Sequence, residues 1–476
     1  MSEDVTAAPT RTGPAALLLF HRAYALVALC AWVSLAVQVR VLVGARGLLP
    51  AAPFFEALRA RGVAFLDAPS VFWLGASDAA LVAGALVGAA LSALALAGVR
   101  PRACIALTLP LYLSYCTAGR AFFGFQWDLL LIETGLVVLV TPTTRASPLG
   151  ALLVRALLFK LYVESGVAKW QSHLGDWQDG SAMLHYYETA PLPGPAAWLA
   201  HSLPAWWHHF ESRAVLALEL VVPFALFAPR RPRYLALALL TAFQLANLAT
   251  ANYGFFIPLT LALHAGLLDD ADVLRLGAWA RPRLDERPPR FAGLRRAGLA
   301  GFAAAWLALS ALEADDAFAS GRFAAAAPTA LTLAETLRAV NAYHLFGHIT
   351  RERIEPEVET LEGGAWTERP LRFKPGDVRR TPPLAWPHQP RVDFQLWFHG
   401  LEFERGMPPY VARLLERLCA APDAVQPLFP GPLPARPDAA RLVYWRYRFT
   451  TPDERRATGD VWSRERVAEG RATLCR

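Results

Sequence analysis

Apolar positions along the chain fall in blocks, not at the spaced intervals of a half-buried soluble core. The stretch Ala79–Val99, AALVAGALVGAALSALALAGV, carries no charge and is long enough to cross ~30 Å of hydrocarbon as one helix. Comparable blocks occupy Ala15–Val37, Ala103–Ala118, Phe122–Val140, Leu149–Val167, Ala214–Ala228, Tyr234–Thr250, Tyr253–Leu268 and Ala297–Leu312. Together they predict about nine helical spans. Several blocks are shorter than the ~20 residues a clean crossing prefers, so eight or ten spans stay open.

Beyond Glu313 the pattern changes to soluble periodicities, and a domain boundary is expected between Glu313 and Thr329. Val411, Leu414, Leu415 and Leu418 recur at helical spacing after Pro408 and Pro409, predicting an amphipathic helix. In RLVYWRYRFT, Val443, Trp445, Tyr447 and Phe449 alternate with Tyr444, Arg446 and Arg448, the period of a half-buried strand. Glu355–Leu361 and Trp366–Phe373 are further strand candidates. The expected organisation is a disordered N-terminus (1–14), a helical membrane domain (15–312) and an extracytoplasmic α+β domain with an antiparallel sheet (313–476).

Composition agrees: 54% of the 476 residues are hydrophobic and 18% charged. A net charge of +7 could indicate nucleic acid, but the basic residues sit in short loops between apolar blocks. Arg100 and Arg102, then Arg230, Arg231 and Arg233, then Arg275, Arg281, Arg283, Arg287, Arg290, Arg295 and Arg296 all fall on one side if nine spans alternate. The positive-inside rule makes that side cytoplasmic. Lys169–Arg213 and everything after about Glu313 then lie outside. The expected partners are membrane lipids, not nucleic acid. The first apolar block lacks a cleavage signature and reads as a retained anchor.

Of the five cysteines, Cys30, Cys104 and Cys116 fall in or beside spans, where thiols behave as small apolar groups. Cys419 and Cys475 belong to the external domain, where a disulfide would persist; a bridge and two free thiols are both open.

Charged groups inside a bilayer cost ~2.5–3.5 kcal/mol each on insertion scales and need a reason. Gln126, Asp128 and Glu133 sit in the fourth block; Arg155, Lys160 and Glu164 sit in the fifth. Gln126 and Glu133 share a helix face, as do Lys160 and Glu164. They predict a polar seam between those spans, serving either helix packing or a partner.

Five segments resemble successive motifs of the lipase maturation factor family: FFGFQWDLLLIETG, LLFKLYVESGVAKWQS, HYYETAPLPGPAAW, LRFKPGDVRRTPPLAWPHQPRVDFQLWF and the late RYRFT. They occur in the family's order from about residue 120 onward. The motif positions are His185, Tyr186, Tyr187 and Glu188; Lys374, Pro375, Gly376 and Asp377; and His388, Gln389, Arg391 and Asp393. The resemblance implies a multispan membrane protein that helps secreted lipases to fold and assemble, with no reaction and no cofactor assigned; its eukaryotic members reside in the endoplasmic reticulum. The Ala-, Arg- and Pro-rich composition points to a high-GC bacterium, so the implied setting is the cell membrane and the implied client an exported protein, a lipase among the candidates.

SGVAKWQSHLGDW is also similar to the segment in which vitamin K-dependent gamma-carboxylases place a general-base lysine, and Lys169 takes that place. This alternative makes the chain an enzyme and predicts a cavity reaching Lys169. The competing expectation is that Lys169 lies at the interface and pairs with Asp176 or a lipid phosphate. A transporter using the polar seam would show inverted repeats, which the hydropathy lacks.

His344 and His348 form an HxxxH pair, but no third ligand sits at a confirming spacing, so no metal is expected. Lys374–Asp377 has the composition of a turn. Pro387–Arg391 reads as an ordered loop that either binds a client or locks onto the sheet. A phosphate loop, a GxSxG elbow and a CxxC pair are all missing, so lipase or thiol oxidoreductase chemistry is not expected.

Overall fold

The computed structural model describes residues 12–284 and 292–475. Arg287, Arg290 and most of the expected N-terminal tail lie outside the described residues.

Each predicted apolar block coincides with a helix: α1 Pro14–Ala36, α2 Asp78–Leu96, α3 Pro101–Gly119, α4 Gln126–Val140, α5 Pro148–Trp170, α6 Ala205–Leu220, α7 Arg230–Thr250, α8 Phe256–His264 and α9 Ala292–Phe318. Serines start two of them in the expected way, with Ser77 Oγ accepting from Ala80 N and Ser147 Oγ from Gly150 N. Among the described residues, α1, α2 and α9 are long and apolar enough to cross a membrane. The rest deviate for local reasons. The helix α4 has 15 residues and α8 has 9, while α5 carries Arg155, Lys160, Glu164 and Lys169. The block Ala214–Ala228 is helical to Leu220 and then a 3₁₀ turn.

The helices α1 and α2 pack closely because Gly88 leaves room for Trp32: a Cβ at Gly88 would fall within 2.5 Å of the indole ring. The basic loops gather at one end of the bundle. There Arg155 donates to Thr12 Oγ1 at 2.6 Å, Arg102 to Thr141 O at 2.5 Å, Arg230 pairs with Asp272 at 2.8 Å, and Arg233 pairs with Asp269.

At the other end sits an antiparallel sheet: β1 Arg353–Glu362, β2 Ala365–Arg369, β3 Ala439–Phe449, β4 Trp462–Glu469 and β5 Thr473–Leu474, in the order β2-β1-β3-β4 with β5 also on β3. Gly363 and Gly364, both at positive φ, make the tight β1–β2 turn. The strand β2 ends at Arg369, short of the expected Phe373, because Pro370 follows and has no N–H for the ladder. The strands β4 and β5 were not expected. Two helices cover the sheet, α10 Arg391–Leu401 against β1 and α11 Pro409–Ala420 against β3. Val411, Leu414, Leu415 and Leu418 are all buried beneath α11. Cys419 at the end of α11 is bonded to Cys475 just after β5, with Cα atoms 4.8 Å apart.

Candidate functional site

The loop Pro387–Arg391 does not lock onto the sheet; it docks on the membrane helices. Ser34 of α1 meets His388 Nδ1 at 3.0 Å and accepts from Gln389 N at 2.9 Å. Gln38 donates to Gln389 O at 2.8 Å and accepts from Arg391 N at 3.2 Å. The Arg391 side chain then reaches Asp128 at the start of α4, at 2.7 and 2.8 Å, and donates to Phe122 O at 2.5 Å. Tyr112 donates to the same carboxylate at 2.5 Å, and the guanidinium stacks 3.7 Å from the centre of the Phe123 ring. The docking follows from burial and charge: Ser34, Gln38, Tyr112 and Asp128 of α1, α3 and α4 are buried, and the loop supplies their partners.

A second joint uses the tyrosine motif. Tyr186 meets Tyr253 OH at 2.6 Å, Tyr187 donates to Glu211 at 2.9 Å, and Glu188 accepts from Phe449 N of β3 at 2.6 Å. His185 lies 3.0 Å from Arg351. Arg353 of β1, fully buried, donates to the carbonyls of Glu188, Ala190 and Pro191 and pairs with Glu355. Glu355 also binds Lys374 at 2.6 Å, and burial pushes the Lys374 ammonium down from its usual range. Gly376, at φ 57°, offers its carbonyl to Tyr447 OH at 2.7 Å, and Asp377 accepts from Arg379 N at 2.9 Å. Asp393 accepts from Phe373 N at 2.9 Å, and burial pushes its carboxyl up to about 6. Of the motif residues, His185, Glu188, His388, Gln389 and Arg391 thus bridge bundle and sheet domain, while Tyr186 and Tyr187 bond within the bundle and Lys374, Gly376, Asp377 and Asp393 within the C-terminal domain.

Sequence reasoning missed Asn252, which ties the same seam. Its side chain donates to Pro193 O at 3.0 Å and Pro383 O at 2.8 Å, and accepts from Ala385 N at 2.7 Å. It missed Arg353 as well.

The six polar residues of the fourth and fifth blocks occupy four places. Glu133 pairs with Lys160 at 3.0 Å and accepts from Trp306 of α9, Asn341 and Tyr343 at 3.0, 3.0 and 2.7 Å; Glu164 accepts from Tyr343 N at 3.0 Å. Asp128 belongs to Arg391, and Arg155 to the basic end. Gln126, at the start of α4, has its Oε1 buried with no partner among the described residues.

Lys169 does not pair with Asp176. It is buried at the end of α5, with Nζ 2.8 Å from Glu219 of α6 and 2.8 Å from Leu345 O, and it faces the Trp177 ring at 5.3 Å. Asp176 is occupied by Ser172 and by the amides of Trp177 and Ile349. Lys169 and Glu219 line a small cavity of about 70 Å³ with Trp177, Tyr186, Asn247 and Tyr253. A larger one of about 570 Å³ adjoins it between α4, the segment His344–His348 and α10. Trp127, Tyr253, Leu345 and Phe346 line both. His344 and His348 are not on a helix; His348 packs edge-on against His173 at 4.7 Å. Among the described residues no three His, Cys, Asp or Glu groups are placed to hold a metal.

Residues 15–275 match the model of the lipase maturation factor transmembrane domain, and residues 339–471 that of the lipase maturation factor C-terminal domain. The chain is 30% identical to human lipase maturation factor 2, with 95% of this chain and 81% of that protein aligned. It is 29% identical to bovine lipase maturation factor 1, over 94% and 87% of the two chains. No solved structure matches. With two successive domain models matched over most of its length and a relative 30% identical over 95% of it, the chain belongs to the lipase maturation factor family.

Proposed function

We propose that this protein is a non-enzymatic membrane factor for the folding and assembly of exported proteins, lipases among them, with about nine spans and its sheet domain outside the cell membrane. One observation carries the reading: five of the motif residues, His185, Glu188, His388, Gln389 and Arg391, join the sheet domain to the bundle. Arg391, Arg353, Glu188 and Asn252 hold the domain in a fixed orientation, which suits a rigid client-recognition platform better than a catalytic centre. The gathering of arginines at the end away from the sheet supports a cytoplasmic location for that end. The names of the relatives support lipases as clients.

The test is the specific activity of an exported lipase secreted by cells with the gene deleted and restored. Restoration by wild type and by Lys169→Arg, which keeps the charge facing Glu219 but cannot act as a base, but not by a chain ending at residue 324, is the expected result. Unchanged lipase activity in the deletion strain would sink the reading.

An enzyme with Lys169 as general base is the second reading, favoured by the cavity that reaches this lysine. Against it stands Glu219: an ammonium held by a carboxylate at 2.8 Å has no free lone pair with which to take a proton.

A further inference from the structure

The two cavities adjoin across Trp127, Tyr253, Leu345 and Phe346, and the chemistry of the recess they make is legible. Its volume, dominated by the outer compartment of about 570 Å³, lies inside the ~300–1,000 Å³ range of small-molecule sites. The walls are aromatic and aliphatic: Trp127, Phe256, Ile257, Phe346, Phe394 and Trp397. At the inner end the only charges are Lys169 and Glu219, which neutralise each other, and the third donor direction of Lys169 is taken by Leu345 O. An anionic or cationic group placed there would find no unpaired counter-charge, and burying it would be costly. Uncharged polar groups are plentiful instead: the Tyr186–Tyr253 hydroxyl pair, Asn247 and Gln244.

Two further observations point to an occupant. Trp127 lines both compartments and is 3% exposed, yet its indole N–H has no partner among the described residues. The outer compartment begins at the last turn of α5, where Trp170 next to it is 59% exposed, as an aromatic ring at a membrane surface would be. On the outer wall, burial holds the His344 imidazole below its usual range.

We propose that this recess binds a membrane-derived amphiphile with one apolar chain and an uncharged, hydrogen-bonding head, of the monoacylglycerol class. The chain lies along the aromatic walls between α4 and α10, and the head reaches the hydroxyl and amide groups beside the closed Lys169–Glu219 pair. The inference does not depend on the assembly reading: a lipid site would serve a folding factor or an enzyme equally.

The probe is a diazirine-bearing monoacylglycerol, photolysed with the full-length protein in phospholipid vesicles, with the labelled peptides mapped by mass spectrometry. Label is expected on peptides containing Trp127, Tyr253 or Phe346, and is expected to drop at least fivefold with excess unlabelled monoolein. Val215→Trp, which fills the inner compartment, and Leu401→Trp, on the outer wall, are each expected to cut it similarly. The two variants lie on different helices, so misfolding of one leaves the other informative. Label confined to α2 and α9 and equal in all variants would overturn the site. Equal labelling of the recess by the corresponding fatty acid carboxylate would overturn the uncharged class of head.

Discussion

Arg391 and Asp128, 263 residues apart, meet as a fork on a carboxylate at 2.7 and 2.8 Å with both side chains buried. One comes from the helix that opens beside the sheet and the other from the start of a bundle helix, so the pair is a physical bolt between two domains. Arg391→Ala would strand a buried carboxylate and is expected to lower stability by about 3–5 kcal/mol. Arg391→Lys keeps the charge but loses the fork and should fall between. Thermal unfolding in detergent reads the series; an alanine variant that melts with wild type would show that the bolt carries no load.

Asn252 makes three hydrogen bonds of 2.7–3.0 Å to backbone groups of two distant loops. Asn252→Ala leaves those groups buried without partners, at a cost of roughly 3 kcal/mol or more. Faster proteolytic cutting within residues 380–390 is the expected signature, since that loop loses its anchor. Asn252→Asp is expected to fare better than alanine at accepting from Ala385 N, yet to lose both donated bonds.

The Cys419–Cys475 bridge closes a loop with a sequence separation of 56. In the chain-entropy model, removing it costs about 4 kcal/mol. Non-reducing peptide mapping should find the pair linked, and Cys419→Ser should lower the unfolding temperature of the sheet domain while leaving the helical signal of the bundle in place. Two free thiols in protein isolated without reductant would contradict the pairing.

Burial raises the Asp393 carboxyl to about 6, against a value near 4 in an unfolded chain. Between those values the folded form holds a proton that the unfolded form has released. Stability from this group is therefore full below about pH 4, declines as pH rises to about 6, and is constant above. Lys374 and Glu355 face the same region, the first holding the carboxyl down and the second pushing it up. Asp393→Asn should flatten this part of the pH–stability curve, as measured by denaturant unfolding at several pH values.

Much of the architecture was written locally. An uninterrupted run such as Ala79–Val99 makes a helix wherever it is placed, and the alternation of Val443–Phe449 makes a strand of β3. Pro370 ended β2 early for an equally local reason. By contrast, the edge strand β4, WSRERVAE, lacks clean alternation because one of its edges and much of its surface meet water, so nothing in its pattern announced it. The strand's existence depends on β3 lying beside it.

The candidate site was only half legible. Motif residues such as Arg391, Lys374 and Glu188 could be named from the chain, but their work could not, because each partner is brought by another element. Lys169 shows the difference. Nearby in sequence stands Asp176, the natural guess for its counter-ion; in space the lysine meets Glu219, and Asp176 turns to Ser172 and Ile349 N instead. Asn252 and Arg353 bond mainly to carbonyls 59 to 165 residues away, and carbonyls carry no side-chain signature in a sequence. Periodicity is a property of neighbours along the chain and sets which segments become helices or strands. Pairing of buried charges is a property of neighbours in space, and only the docking of the sheet on the bundle decided it.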